Sequence, residues 1–291
     1  MTGPIHIVLT FDDNFWAPAF AVSRSICLST RRRDLVFHLL HDGLKSERYA
    51  DFQKLRDEFP GIAVNHYELS TNDHFNAVCR SLPVDNRLHT VMYARLLIGT
   101  ILPAGIERVI YLDCDTFVVS PIEWLFEQDM GGHPVAAVSD PVKQLMMMGR
   151  DVREKTGLFD SAQDYFNSGV MLIDLPRYAA TDIPFRIEEM KASGVLQKLY
   201  FDQDMLNLIF SGNWQKLPWR FNVTDPQVAH QAMDCFIMHF TGHARPWLLY
   251  ANVAYRRSYR HVMTNELFYR YMRHRWKRFW LKRWTKLTGR K

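Results

Sequence analysis

The sequence predicts an α/β protein built on a mostly parallel sheet with helices on both faces. Between Ile5 and Leu112, apolar stretches of strand length alternate with stretches of helical length, and the connections between them are short. Carboxylates and amides follow directly after several apolar stretches, which is where ligands bind in open sheets of this class. The 291 residues are enough for one large domain or two small ones.

The individual elements follow from local patterns. Short continuous apolar stretches predict buried strands, and turn residues before a longer amphipathic stretch predict a helix. Pro18 fits the first turn of the first helix, where its missing N–H is not needed. The predicted strands are Ile5–Phe11, Leu35–His41, Ile62–Tyr67, Val109–Leu112, Phe166–Asp174 and Cys235–Phe240. The predicted helices are Pro18–Ser29, Ser46–Phe59, Tyr93–Leu102 and Asp202–Phe210, and residues 140–164 are expected to form a polar loop.

The composition is that of an ordinary globular protein, with 47% hydrophobic and 23% charged residues. No apolar stretch reaches the roughly 18 residues of a membrane span, and the first residues lack the pattern of a secretory signal. The four cysteines are scattered without a close pair, which favours free thiols over disulfides or a zinc site. These features predict a protein of a reducing compartment, the cytoplasm.

Positive charge is concentrated at the C-terminus. The formal net charge is +5, yet residues 270–291 hold ten Lys and Arg and no Asp or Glu, which leaves the rest at −5. Aromatic and leucine side chains recur in this segment at helical spacing and predict a basic amphipathic helix that lies on an anionic membrane surface. They are Trp276, Phe279, Trp280, Trp284 and Leu287. The alternatives are packing of this helix on the domain and, with no recognition motif in its favour, nucleic acid binding.

The most informative motif is Asp113-Cys-Asp115, which follows the apolar stretch 109–112. Two ionised carboxylates this close repel each other in a partly dry site, and a hard divalent cation removes that repulsion. The motif thus indicates metal-assisted chemistry on a phosphorylated ligand, although Asp-x-Asp also occurs in ordinary solvated turns. The sequence contains neither the glycine-rich dinucleotide pattern nor a P-loop, which argues against those two nucleotide-binding folds.

Five blocks of sequence resemble, in the same order, those of the family 8 retaining glycosyltransferases, above all the bacterial enzymes that add galactose or glucose to lipopolysaccharide cores. The blocks are Thr10–Phe15, Tyr93–Arg95, Leu112–Asp115, Phe166–Gly169 with Asp202–Asp204, and His239–Gly242 through Trp247. The resemblance implies a GT-A fold, a UDP-hexose donor and a Mn²⁺ or Mg²⁺ ion. It also implies an oligosaccharide or glycolipid acceptor, and we expect no nucleic acid partner.

The resemblance further implies a role for each matched residue. The metal ligands are Asp113, Asp115 and His239. The candidate catalytic residues around the transferred sugar are Asp140, Asp202 and Gln203. The implied donor-binding residues are Thr10, Asp12, Asn14, Phe15, Arg95, Asn167, Gly242 and Arg245. Relatives often have Tyr at the position of Phe15 and Lys at that of Arg245, so stacking and positive charge are kept while a hydroxyl contact and the lysine geometry are not.

Two routes to retention of configuration are compatible with these roles. A double displacement requires a nucleophile such as Asp140, Asp202 or Gln203, whereas a front-face substitution requires none. The front-face route is favoured because the amide of Gln203 is a poor nucleophile. In either route, the ion and the arginines Arg95 and Arg245 stabilise the charge of the diphosphate leaving group.

Two other functions fit the same motif. Asp113-Cys-Asp115-Thr116 also matches haloacid-dehalogenase-like phosphatases, in which the first Asp is a nucleophile toward phosphate, with Asp160 and Asp164 as a possible later acidic pair. A membrane-tethered module that binds nucleotide sugars without turnover is the non-enzymatic alternative. The favoured organisation is a catalytic domain at 1–258 and a basic, aromatic, membrane-associating tail at 259–291. Such a protein is expected to be peripheral on the inner face of the cytoplasmic membrane.

Overall fold

The computed structural model describes residues 3–80, 82–83, 90–148, 157–159, 164–199 and 201–288. The strands are β1 (Ile5–Phe11), β2 (Leu35–His41), β3 (Ala63–Glu68), β4 (Arg108–Leu112), β5 (Thr116–Val118), β6 (Val135–Ser139), β7 (Phe166–Asp174), β8 (Gln215–Lys216), β9 (Val223–Thr224) and β10 (Ile237–His239). The α-helices are α1 (Trp16–Ser29), α2 (Ser46–Glu58), α3 (Asp73–Cys79), α4 (Ile98–Ile101), α5 (Glu123–Phe126), α6 (Val142–Met147), α7 (Leu175–Ala180), α8 (Ile183–Ala192), α9 (Phe201–Ile209), α10 (Arg256–Met263) and α11 (Asn265–Thr288).

A seven-stranded sheet forms the centre of the fold, in the order β3-β2-β1-β4-β7-β6-β8. β1 pairs in parallel with β2 and β4, and β2 pairs in parallel with β3. β7 runs antiparallel to both of its neighbours, β4 and β6. The predicted mostly parallel, mixed sheet is therefore confirmed.

Both faces of this sheet are covered by apolar side chains. Neighbouring residues of a strand point to opposite sides, so successive residues pack in different clusters. Ile7 and Leu9 of β1 belong to an apolar cluster that includes α1, whereas Val8 between them packs in a second cluster with Tyr93 and Tyr111. All three β1 residues are completely buried. A strand that is buried on both faces needs apolar side chains at successive positions, which explains the continuous apolar stretches in the sequence.

A small second sheet begins where β4 ends. Only Asp113–Asp115 separates β4 from β5, and β5 pairs antiparallel with β10, which in turn pairs with β9. His239, the last residue of β10, is paired with Thr116 of β5. The chain thus passes from one sheet to the other at the Asp-x-Asp motif, and β10 brings a residue from late in the chain to the same place.

The segment predicted as a helix at Tyr93–Leu102 is instead a 3₁₀-helix at Thr90–Leu97 followed by α4. A tertiary contact fixes its backbone, since the carbonyl of Arg95 accepts a hydrogen bond from the hydroxyl of Tyr178 at 2.9 Å. The last predicted strand is also shorter than expected, because β10 pairs with a β5 of only three residues.

The loop expected at 140–164 contains the short helix α6. Asp140 stabilises the start of α6, because its Oδ1 accepts a hydrogen bond from the Val142 N–H at 2.8 Å. Residues 149–156 and 160–163 of this region lie outside the described part of the chain, and so does Asp160 of the phosphatase alternative.

The C-terminal helices differ in burial along their length. α10 and the first two turns of α11 complete the apolar cluster around α1, and the buried side chains there are Tyr259, Met263, Leu267, Phe268 and Tyr271. Further along α11, the aromatic stripe is more than half exposed at every position: Trp276, Phe279, Trp280, Trp284 and Leu287. The amphipathic C-terminal helix is therefore present, while the division of the chain at residue 258 stays a prediction. Among the described residues, no helix is both long and apolar enough to cross a membrane.

Candidate active site

Strand pairing brings Asp113, Asp115 and His239 together. The Asp113 N–H donates to the carbonyl of Gly169 in β7 at 2.8 Å, and the Phe240 N–H donates to the carbonyl of Asp115 at 2.9 Å. His239 Nε2 lies 3.1 Å from Asp115 Oδ1 and 3.7 Å from Asp113 Oδ2. One potential ligand atom from each of these three residues lies within 4.8 Å of the others.

Gly169 leaves the space in which these side chains meet. A Cβ atom at this position would lie 2.2 Å from His239 Cε1 and 2.6 Å from Asp113 Oδ2, far inside van der Waals contact. Gly169 lies within β7, so the position requires a missing side chain rather than an unusual backbone. Any larger residue would push the imidazole and the carboxylate apart.

The donor set fits a divalent cation. Carboxylate oxygens suit Mg²⁺ and Mn²⁺, and an imidazole nitrogen among them favours Mn²⁺. Asn222 Oδ1 accepts a hydrogen bond from His239 Nδ1 at 3.0 Å, which points Nε2 at the carboxylates. Asn222 in turn donates through Nδ2 to Asn167 Oδ1 at 2.9 Å, so its amide orientation is also fixed. The ring is therefore oriented so that Nε2 is the nitrogen that would hold an ion.

Arg95 is buried behind Asp113 and pairs with two carboxylates. Its Nη2 lies 2.7 Å from Asp113 Oδ1, and its Nε lies 2.6 Å from Asp202 Oδ2. Burial disfavours the charge on Arg95, but the two carboxylates outweigh this effect and raise its pKa. Burial also raises the pKa of Asp202, although Arg95 acts against this rise. Asp202 is thus paired with Arg95. Arg95 stays positively charged, buried beside Asp113.

A second arginine contacts the other carboxylate of the motif. Arg245 Nη1 donates directly to Asp115 Oδ2. Burial by itself raises the pKa of Asp115, yet His239 and Arg245 together hold it below its usual range. Burial lowers the pKa of His239, and Asp115 with Asp113 more than compensates, so the pKa of His239 is raised. Opposite charges are therefore balanced within the cluster.

Hydrogen bonds connect the imidazole to the predicted sugar-site residues. Asn167, which binds Asn222, donates through Nδ2 to Asp140 Oδ2 at 2.8 Å. Gln203 Nε2 donates to the same Asp140 oxygen at 3.0 Å, and its Oε1 accepts from the Ser168 N–H at 3.1 Å. The structure thus brings Asp140, Asn167 and Gln203 into one hydrogen-bond network, which reaches His239 through Asn222.

The turn after β1 forms the next part of the site. The Asn14 N–H donates to Asp12 Oδ1 at 3.0 Å, and the Asn14 side-chain amide donates to the other oxygen of the same carboxylate. Asn14 Oδ1 also lies 3.3 Å from His274 Nε2 of α11. The ring of Phe15 is 40% exposed and stands nearly perpendicular to the ring of Trp247, with 6.0 Å between ring centroids, so it presents a surface for stacking on a base.

Two predicted donor-binding residues contact the protein in ways that the sequence does not indicate. Thr10 Oγ1 shares a hydrogen bond with Tyr111 OH at 2.8 Å, and that hydroxyl lies 2.9 Å from Asp113 Oδ1. Gly242 packs against Asp225, because a Cβ atom at 242 would lie 2.3 Å from Asp225 Oδ1. Thr10 therefore supports Asp113 through Tyr111, and Gly242 leaves room for the side chain of Asp225.

Sequence reasoning missed several residues of the site, namely Tyr111, Ser168, Gly169, Asn222 and His274. Tyr111 could have been found, because it precedes Asp113 by two positions and such residues share a face of a strand. Ser168 and Gly169 lie inside a matched block but received no role. Asn222 and His274 have no local signal, since only the fold brings them to the site.

The chain matches the family model described as glycosyl transferase family 8 over residues 6–251. Its relatives include general stress protein A of Bacillus subtilis, with 26% identity over 89% of this chain and 93% of that protein. Lipopolysaccharide 1,3-galactosyltransferase of Salmonella typhimurium is 26% identical over 83% of this chain and 72% of its own length. Lipopolysaccharide 1,2-glucosyltransferase of Escherichia coli K12 is 24% identical over 86% of this chain and 76% of its own length.

Solved structures with the same architecture include the galactosyltransferase LgtC in complex with donor and acceptor sugar analogs. It superposes with a TM-score of 0.72 at 23% sequence identity, covering 89% of this chain and 95% of that chain. An active-site mutant of LgtC gives a TM-score of 0.74 with the same identity and coverage. The predicted GT-A fold is thereby confirmed, and the family match favours a transferase over the phosphatase alternative.

Proposed function

Because this chain belongs to glycosyl transferase family 8 and is thus an enzyme of the transferase class, we propose that it is a metal-dependent retaining hexosyltransferase. It moves galactose or glucose from a UDP-sugar to a saccharide acceptor in the synthesis of lipopolysaccharide or another cell-surface glycan. The observation on which this proposal rests is the meeting of Asp113, Asp115 and His239 between two arginines. The galactosyl- and glucosyltransferase relatives support the choice of hexose and acceptor class.

Asp113, Asp115 and His239 would hold the ion, which when bound supplies Lewis-acid neutralisation of the diphosphate. Arg95 fixes one oxygen of Asp113, so that carboxylate cannot turn away from the site. Arg245 is 28% exposed, and its guanidinium is placed where it reaches either Asp115 or a donor phosphate. Asp12 and Asn14 bind the uridine, with the exposed ring of Phe15 stacked on the base.

The transfer is a front-face substitution. The anomeric C–O bond to the diphosphate breaks, the bond to the acceptor oxygen forms on the same face, and the acceptor proton passes to a diphosphate oxygen. Gln203 does not act as a nucleophile, since its Oε1 already accepts a hydrogen bond from the Ser168 N–H. Asp202 is similarly engaged by Arg95, and both residues position the sugar and its surroundings instead.

The test is a measurement of UDP release from a panel of UDP-sugars, with and without Mn²⁺, in the presence of candidate saccharide acceptors. We expect turnover with UDP-galactose or UDP-glucose that disappears with a chelator and returns with Mn²⁺. Asp115→Asn should abolish it, while Asp57→Asn on the exposed side of α2 serves as the matched control. Turnover that is equally fast with the chelator, or in Asp115→Asn, would contradict the proposal.

The enzyme binds peripherally to the inner face of the cytoplasmic membrane through α11. The proposal is supported by the exposed aromatic stripe and by the basic residues around it, such as Lys282, Arg283 and Lys286. Replacing these three by Gln should weaken binding to anionic vesicles by on the order of a hundredfold, because each contributes about 1 kcal/mol near such a surface. Cosedimentation with phosphatidylglycerol vesicles measures this effect, and unchanged binding would remove the membrane proposal while leaving the transferase proposal intact.

A further inference from the structure

An apolar groove lies between α11 and the segment that follows the last metal-ligand candidate. Its volume is about 770 Å³, which is in the range of small-molecule sites. Leu248 and Leu249 line one wall, and Met272, Phe279 and Trp280 line the other. Polar groups are few along these walls, so the groove suits a hydrocarbon better than a sugar or a phosphate.

The chain links one end of this groove to the candidate active site. His243 and Ala244, which line it, stand in the chain between Gly242 and Arg245. Arg245 donates to Asp115, one of the three clustered residues. A molecule in the groove would therefore contact the two residues that directly precede the arginine bound to Asp115.

The other wall of the groove belongs to the helix that carries the exposed aromatic stripe. The groove and the exposed aromatic stripe share Trp276, Phe279 and Trp280. The groove therefore opens toward the surface that we propose to face the membrane. Arg275, a further lining residue, adds a cation. An amphiphile with an anionic group between its sugar and its hydrocarbon chain would match both the apolar walls and this charge.

We infer that this groove binds the hydrocarbon chain of a glycolipid acceptor and so presents the acceptor sugar to the active site. The inference rests on the proposed transferase function and specifies its acceptor class. The enzyme should accordingly discriminate between acceptors that share a sugar and differ only in the length of the alkyl group.

The probes are methyl β-lactoside and octyl β-lactoside, both below the critical micelle concentration of the latter and without vesicles. Binding to the full chain is measured by calorimetry without donor or metal, and transfer is measured with UDP-galactose or UDP-glucose and Mn²⁺. We expect the octyl compound to bind at least about tenfold more tightly, because the buried methylene groups leave water. Phe279→Ser and Leu249→Ser, one from each wall, should reduce this preference several-fold.

Trp284→Ser is the matched control, since Trp284 is an exposed aromatic residue of the same helix that does not line the groove. It should keep the full preference for the octyl compound. Equal binding of the two lactosides, or an equal loss in Trp284→Ser, would overturn the inference. So would a concentration-dependent dimer that the groove variants dissociate, because a second copy would then occupy the groove. An octyl preference without turnover on any donor would support the groove and count against the proposed transferase function.

Discussion

Two groups of polar side chains along the central sheet differ in their charge. At the carboxyl end of β4, Asp113 and Asp115 are charged and are balanced by Arg95, Arg245 and His239. Across β1, β2 and β3, His6 pairs with His38, and His41 pairs with His66 on the opposite face of β2. We call these two pairs the histidine cluster. Within the described part of the chain, no arginine or lysine shares a hydrogen bond with these four rings. The first cluster contains charges, and the second contains neutral rings.

The geometry of the histidine cluster explains its neutrality. His6 Nδ1 lies 2.9 Å from His38 Nε2, and His41 Nε2 lies 3.3 Å from His66 Nδ1. Within each pair one ring donates and the other accepts, which requires that the accepting ring is unprotonated. Burial, followed by the neighbouring histidine, lowers the pKa of both His38 and His41 to about 4.

The difference separates a functional cluster from a structural one. Buried ion pairs give little net stability compared with apolar packing, so a cluster of five charged or chargeable groups needs another reason to exist. The proposed binding of a cation and a diphosphate would supply that reason. Neutral histidine pairs stabilise the sheet and should be insensitive to substrate, so the two clusters should respond to mutation in different assays.

The largest effect is expected for Asp113→Asn, which removes a carboxylate from the proposed cation site. The kcat for transfer should fall by on the order of 10³, as the stabilised charge of the leaving group loses its support. Initial rates with saturating Mn²⁺ measure this loss, and circular dichroism checks the fold. His38→Gln in the histidine cluster should keep kcat near the wild-type value at pH 7.5. A comparable loss of kcat in both variants would contradict the assignment of only the carboxylate cluster to catalysis.

Arg95→Ala should cost the most stability of the variants considered. It leaves Asp113 and Asp202 without their buried cation, and the loss of one partner of a buried pair costs about 3–5 kcal/mol. The free energy of unfolding in urea measures this cost. Arg186→Ala is the control, because Arg186 and its partner Glu189 are about half exposed and such pairs contribute roughly 0–1 kcal/mol. Similar costs for the two arginines would show that the buried pairing is not strong.

Asn222→Ala should weaken Mn²⁺ binding by about 10- to 100-fold, because the imidazole loses the partner that orients it. Calorimetric titration of Mn²⁺ in the presence of UDP measures the affinity. His239→Ala sets the scale, since it removes the ligand itself. Unchanged affinity in Asn222→Ala would mean that the hydrogen bond between Asn222 and His239 has no influence on the metal.

The histidine cluster predicts a pH dependence of stability. The folded-state pKa values of His38 and His41 lie near 4, below the ordinary value of 6.5, so protons bind the unfolded chain first. Their contribution to stability is fully present above pH 6.5 and is lost as the pH falls toward about 4. His239 has a raised pKa and acts in the opposite direction, so the comparison must be between the wild type and His38→Gln. The difference between their melting temperatures should shrink from pH 7 to pH 5; a constant difference would contradict this assignment.

The smallest effect is expected for His274→Ala. His274 contacts Asn14 in the predicted uridine-binding turn, so the KM for the UDP-sugar should rise a few-fold while kcat stays the same. His261→Ala in α10 is a control histidine outside the site. A drop in kcat without a change in KM would place His274 in a different role.

Much of the fold could be predicted from the sequence because its central strands are buried on both faces. The predicted bounds of β1, β2 and β7 match the observed ones, since turn residues flank continuous apolar stretches. β6 and the two-residue strands β8 and β9 were not predicted, because their pairing depends on neighbours that are distant in sequence. Local patterns contain no information on such partners.

The candidate site could likewise be predicted only in part from the sequence. The resemblance picked out Asp113, Asp115 and His239, and the structure brings them together, while their roles as ligands stay predictions. The contact of Arg245 with Asp115 joins residues 130 positions apart, and no local pattern predicts it in preference to a phosphate contact. Asn222 likewise lies in a segment without any motif, and only the pairing of β9 with β10 explains its position.

The proposed function depends above all on one divalent cation held by Asp113, Asp115 and His239. Titration of Mn²⁺ into the full chain with UDP present, followed by the electron paramagnetic resonance signal of free Mn²⁺, tests this directly. We expect one bound ion per chain in the wild type and none at the same concentrations in Asp113→Asn, Asp115→Asn and His239→Ala. Wild-type binding that persists unchanged in all three variants would contradict it.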